Sequence, residues 1–184
     1  MVKINYSEIK KLPNILSSVR LLLILPVLIL FTNFEANRSI LIILAILAAL
    51  LDNLDGYFAR KYNEITELGK IIDPLADKLM VAVFGFGLVL NGAIPTWFFA
   101  IVLSRDLIII LFSLIFFSRV DKVQTSNFIG KLTVTLIGIS FLVALFGLEP
   151  EDLFFSTLLV ITSVVVVVSL IVYAHRSYIN IKVR

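Results

Sequence analysis

Four aspartates stand out in an otherwise apolar chain. From Leu51 to Lys78 the sequence reads LDNLDGYFARKYNEITELGKIIDPLADK, with Asp52 and Asp55 three residues apart and Asp73 and Asp77 four apart. On a helix, those spacings put side chains on one face. Two such helices joined by a short loop bring their acidic faces together, so the four carboxylates point into one space. Without compensation the cluster is costly. An Asp near mid-membrane costs roughly 2.5–3.5 kcal/mol on insertion scales. Two like charges ~4 Å apart repel by about 4 kcal/mol at an effective dielectric near 20. Lys78, Arg60 and Lys70 offset part of this charge, and a divalent cation offsets more. The donors are hard oxygens, cysteine is absent and the single histidine, His175, is remote. That set suits Mg²⁺ or Mn²⁺ rather than zinc, and two such ions would clamp a phosphoryl group. Solvated acids at helix ends would explain one Asp, but not four on matched faces, because intramembrane acids are functional by default. Gly56, Ala59, Gly69 and Ala76 interleave with the acids, letting backbone or a flat ligand approach closely and helices pack tightly.

The elements that hold these acids must be membrane helices. The chain has 184 residues, 60% hydrophobic and 16% charged, with a mean hydropathy of +1.06. Soluble domains average roughly 45–50% apolar and about 25% charged, so an ordinary soluble domain is excluded. At ~20 residues per span there is room for about six crossings and no large extramembrane domain. The apolar runs place them at 15–32, 39–60, 70–91, 95–118, 127–148 and 152–175, giving an all-α bundle of six transmembrane helices. No repeat of fixed period is visible, and no cleavage site follows the run Leu21–Phe31, so the first span is expected to be retained.

Charge sets the expected orientation. The breaks at Asn33–Arg38, Asn91–Pro95 and Glu149–Asp152 carry only Arg38 as a cation, whereas the opposite side carries Lys3, Lys10, Lys11, Arg60, Lys61, Lys70, Arg119, Lys122, Lys131, Arg176, Lys182 and Arg184. The positive-inside rule then places both termini and the acidic site in the cytoplasm. Residues 1–12, with Ile4, Ile9 and Leu12 among Lys and Glu, are expected to lie as a short juxtamembrane helix or a frayed cationic tail. Residues 13–184 form the membrane domain.

The order Asp52-x2-Asp55-Gly56-x2-Ala59-Arg60-x8-Gly69-x3-Asp73-x3-Asp77 resembles the signature of the CDP-alcohol phosphotransferase family, with no departure in residue type or spacing. Eight matched positions in a 26-residue window are a specific signal. Pro13-Asn14-x2-Ser17-x2-Arg20 resembles the family's approach to its first span, with Ser where Thr is common. The resemblance implies that an alcohol hydroxyl attacks the phosphorus next to the diacylglycerol of CDP-diacylglycerol, releasing CMP. It also implies that Asp52, Asp55 and Asp73 are the main metal ligands, and that Asp77 shares a second metal and acts as general base. Asn14, Ser17, Gly56, Ala59, Arg60 and Gly69 then belong to the CDP-lipid site, together with Asp52 and Asp55. The resemblance further implies a homodimer. The chemistry agrees, since a hydroxyl is a weak nucleophile that a carboxylate base assists, and metals neutralise charge on the diphosphate.

For the acceptor, Arg105-Asp106 lies well inside the fourth span and Lys131 begins the fifth. An Arg there faces the bundle interior or a wet cavity and matches phosphate geometry, though pairing with Asp106 would also give it a structural use. Two cations suit an acceptor with its own phosphate. The arrangement is similar to phosphatidylglycerophosphate synthases, which use glycerol 3-phosphate and often read Ala-Arg-Glu here. Ser104-Arg105-Asp106 also resembles cardiolipin synthases of the family, which use phosphatidylglycerol. A reading of another class, a divalent-cation transporter, would call for inverted repeats and paired Gly/Pro interruptions, and neither is seen. His175, Trp97 and Tyr173 read as interfacial anchors.

Overall fold

The computed structural model describes residues 11–62, 66, 68–116 and 128–182. Among them are seven helical segments and no strand: α1 (Leu12–Leu22), α2 (Ile24–Phe31), α3 (Phe34–Lys61), α4 (Gly69–Leu90), α5 (Thr96–Phe116), α6 (Phe128–Leu145) and α7 (Leu153–Lys182). Segments α1 and α2 form one rod of 20 residues, Leu12–Phe31. It is interrupted at Leu23 because Pro26 has no N–H to offer the Leu22 carbonyl. Pro13 sits in the first turn of α1, where a missing N–H is harmless.

Four helical stretches among the described residues are long and apolar enough to cross a membrane: Leu12–Phe31, Phe34–Ala59, Phe128–Leu145 and Leu153–His175. The chain is therefore a multi-pass membrane protein. The other two expected spans form as helices α4 and α5. However, α4 carries Lys70, Asp73, Asp77 and Lys78 near its start, and α5 carries Arg105 and Asp106 in its middle.

Two boundaries differ from the sequence reading. The polar stretch from Asn33 to Arg38 is mostly helix, because α3 begins at Phe34. Its polar side chains are satisfied locally: Asn37 Nδ2 donates to the Leu30 carbonyl at 3.1 Å, Arg38 pairs with Glu35 at 2.6 Å, and the Arg38 guanidinium lies 4.9 Å from the Phe34 ring centre. Glu35 in the first turn also suits the helix dipole. At the other end, α7 runs on to Lys182, past the expected end at 175. The expected juxtamembrane helix over 1–12 lies, but for its last two residues, outside the described residues.

The chain divides into two units, one ending at Asn91 and the other starting at Gly92. In the first, α1 and α2 pack against both α3 and α4. At one end of this unit Phe31 stacks on Phe34 and meets Phe84 edge-on, each at 5.8 Å between ring centres. The Phe31 ring lies so close to Gly87 that no Cβ fits there. In the second unit α7 packs against α5 and α6, with Phe98, Leu145, Phe155 and Leu159 fully buried. Ser140 and Thr162 share a buried hydrogen bond of 3.2 Å between α6 and α7.

Candidate active site

Polar residues recur every third position on α1. Asn14, Ser17 and Arg20 are all buried and turn one polar stripe toward α3 and α4. The Ser17 hydroxyl lies 3.0 Å from Asp55 Oδ2 on α3 and 2.5 Å from Asp73 Oδ1 on α4. It is also 3.1 Å from the Pro13 carbonyl of its own helix. A hydroxyl has one proton to give, so three acceptors crowd a single donor. Two carboxylate oxygens from different helices thus converge on one point.

Arg20 supplies the positive charge. One terminal nitrogen pairs with Asp52 Oδ1 and the other with Asp55 Oδ2 at 2.5 Å. Its side chain is 2% exposed, that of Asp55 5%, and that of Asp52 49%. The fork therefore has one partner in the interior and one at the opening. Arg20 Nε is buried without a hydrogen-bond partner among the described residues. Asp77 lies 3.5 Å from Lys78 Nζ, and both are partly exposed. Arg20 pairs with Asp52 and Asp55, Lys78 lies beside Asp77, and Asp73 meets the Ser17 hydroxyl, so the six ionisable side chains carry four carboxyl groups to two cations.

The start of α4 is fixed by a second contact. Asn14 Nδ2 donates to Thr66 Oγ1 at 2.9 Å, and Thr66 Oγ1 lies 3.2 Å from Asn14 Oδ1. The Gly69 N–H donates to the same Thr66 oxygen at 2.9 Å. Gly69 is needed here because a Cβ would stand 2.7 Å from Asn14 Oδ1 and 3.0 Å from Thr66 Oγ1. Asn14 and Gly69, both expected at the CDP-lipid site, thus have packing work in the junction of α1 with α4. Gly56 and Ala59 lie on α3 and are partly buried. The side chains of Arg60 and Lys70 lie outside the described residues.

Two residues escaped the charge and site reading. Arg20 stands in the motif, whereas Lys78, Arg60 and Lys70 are the cations nearest the acids in sequence. The signal was its spacing: a lone Arg in an apolar run, on the face of Asn14 and Ser17, must meet a carboxylate. Thr66, in the loop before α4, gave no signal.

In the second unit Arg105 and Asp106 are both buried and pair with each other at 2.5 Å. Arg105 Nε is buried without a hydrogen-bond partner among the described residues. Lys131 is exposed in the first turn of α6.

A multi-pass helical protein with an oxygen-rich, partly compensated acidic site at its helix ends defines a class, and similarity narrows it. The family model described as CDP-alcohol phosphatidyltransferase matches residues 10–174. The chain belongs to the CDP-alcohol phosphatidyltransferase family. It is 35% identical over 161 residues to a CDP-diacylglycerol–glycerol-3-phosphate 3-phosphatidyltransferase of Aquifex aeolicus, covering 86% of this chain and 87% of that protein. A Bacillus subtilis protein of the same name is 38% identical over 90 residues, 49% of this chain and 46% of the relative. A cardiolipin synthase (CMP-forming) of Streptomyces coelicolor is 32% identical over 135 residues, 70% and 62% of the two chains.

Proposed function

We propose that this protein transfers the phosphatidyl group of CDP-diacylglycerol to a hydroxyl of glycerol 3-phosphate, giving phosphatidylglycerophosphate and CMP. The observation that carries the reaction class is the meeting of Asp55 and Asp73, from two helices, on Ser17, with Arg20 joining Asp52 to the set. The acceptor is supported by the printed name of the Aquifex aeolicus relative, which aligns along most of both chains.

The residues fit a divalent cation in their chemistry. Every donor is a hard oxygen, and the described side chains of the site carry more negative than positive charge. As they stand, Arg20 and Ser17 hold the oxygens, and among the described residues no three acids or imidazoles are grouped to ligate one ion. Asp52, Asp55, Asp73 and Asp77 would hold Mg²⁺ or Mn²⁺, two ions in our reading. Bound there, the ions would neutralise the diphosphate and the leaving CMP.

The chain's own part is positioning and proton transfer. Ser17 and Arg20 hold the acids of α3 and α4 in register. Asp77 takes the proton of the acceptor hydroxyl as its oxygen bonds to the phosphorus beside diacylglycerol. The bond from that phosphorus to the CMP oxygen breaks, and CMP leaves with the electron pair. Arg105, with Lys131, binds the acceptor's phosphate. We place the site and both termini on the cytoplasmic face, by the positive-inside rule, and read the protein as a homodimer.

The test is CMP release by purified protein with CDP-diacylglycerol and Mg²⁺, offering glycerol 3-phosphate and phosphatidylglycerol separately. Release with glycerol 3-phosphate alone is expected. Release with phosphatidylglycerol alone would establish the second reading, a cardiolipin synthase, which the Streptomyces coelicolor similarity favours. Metal uptake without CMP release in the presence of either acceptor would overturn the transferase reading.

A further inference from the structure

The fork of Arg20 takes one oxygen from each of two aspartates that the metal reading assigns as ligands. It takes Asp52 Oδ1 and Asp55 Oδ2, and Asp55 Oδ2 also lies 3.0 Å from the Ser17 hydroxyl. A guanidinium stays protonated at all working pH values, so it cannot leave this contact by losing its charge. Its side chain is 2% exposed and spends both terminal nitrogens on α3. Its Nε has no partner among the described residues. Asp52 and Asp55, both on α3, are the carboxylates its fork grips.

We propose that Arg20 is a positioning residue that acts as a resident counter-cation. It holds Asp52 and Asp55 together before metal arrives and competes with divalent metal for their oxygens. This inference rests on the metal-dependent reading above. Metal loading is then an exchange, in which the fork gives up one or both oxygens. The half-exposed Asp52 is the side from which this begins, because Asp55 is enclosed. The arrangement lowers metal affinity below what four aspartates alone would give. It also keeps the acid faces of α3 in place while the metal exchanges.

The competition has a signature that a purely structural arginine would not produce. Removing the charge should tighten metal binding, although a support has been lost. The test is Mn²⁺ titration by calorimetry of the purified wild type, Arg20→Gln and Arg20→Lys, followed by the Mn²⁺ concentration that gives half-maximal CMP release. Loss of a unit charge beside a divalent ion should tighten Mn²⁺ binding by about tenfold or more in Arg20→Gln. Arg20→Lys keeps the charge but grips one carboxylate instead of two, so its affinity should fall between the other two. The half-activating concentration should drop in the same order. Affinity that is unchanged or weaker in Arg20→Gln overturns the proposal. If Arg20→Gln does not yield folded protein, Arg20→Lys decides: tighter binding than wild type supports the competition, and equal or weaker binding overturns it. A wild type that binds no Mn²⁺ would instead overturn the metal reading itself.

Discussion

Replacing Gly69 with Ala adds one methyl group where the structure leaves no room for it. The new Cβ would stand 2.7 Å from Asn14 Oδ1 and 3.0 Å from Thr66 Oγ1. Those two atoms are bonded to each other, so neither can retreat alone. Forcing them apart sacrifices hydrogen bonds worth about 1 kcal/mol each. Overpacking typically costs about 1–3 kcal/mol. The helix propensity of Ala over Gly returns at most ~1 kcal/mol, and less at the first residue of α4. The expected net loss is about 1–3 kcal/mol. Function should suffer as well, because a shifted α4 carries Asp73 away from Ser17, four residues into the helix. The assay is thermal unfolding of purified protein in detergent, beside CMP release. A second substitution isolates the cause. Asn14→Ala removes the nearer obstruction and leaves Thr66 Oγ1 at 3.0 Å, so Gly69→Ala should cost less in that background, with a coupling of about 1 kcal/mol or more. If Gly69→Ala costs the same in both backgrounds, the steric reasoning is refuted.

Other outcomes follow from the same geometry. Asp77→Asn should abolish transfer while metal-dependent binding of CDP-diacylglycerol persists, as checked by thermal shift with nucleotide and Mg²⁺; loss of both would make Asp77 a ligand rather than the base. Arg105→Ala should raise KM for glycerol 3-phosphate about tenfold or more, in line with the worth of a charged hydrogen bond, and an unchanged KM would remove the anion-binding role. Chelation with EDTA should stop CMP release, and Mg²⁺ or Mn²⁺ should restore it; full activity after chelation would exclude the metal site. Gly87→Ala should destabilise the first unit by about 1–3 kcal/mol, because its Cβ meets the Phe31 ring. Unfolding midpoints equal to wild type would show that the ring moves aside.

The acid motif was readable because helix periodicity turns spacing into direction: Asp52 and Asp55 share a face of α3, and Asp73 and Asp77 share a face of α4. The helix ends were less readable. Asn37 and Arg38 look like loop residues, yet local bonds to Leu30 and Glu35 draw them into α3. The tertiary partners were the hardest to see. Nothing between Thr66 and Asn14 in the sequence joins them, 52 residues apart, until α1 lies against the start of α4. Arg20 was visible as a charge in an apolar run, but its partners depend on which helices pack together. Arg105 and Asp106 were legible as an intramembrane pair, but their mutual hydrogen bond was not, because neighbours on a helix point to different faces.

The separation of Arg20 from its partners bears on how the chain enters the membrane. Synthesis delivers α1 first, with a guanidinium about 12 Å along the helix from its start. Its carboxylates follow 32 and 35 residues later. Until α3 arrives, α1 carries an unneutralised cation, at roughly 2.5–3.5 kcal/mol for one near the bilayer centre. The apolar residues of Leu12–Phe31 carry that cost alone until the carboxylates of α3 share it. The charge that organises the finished site is thus met only once α3 packs against α1.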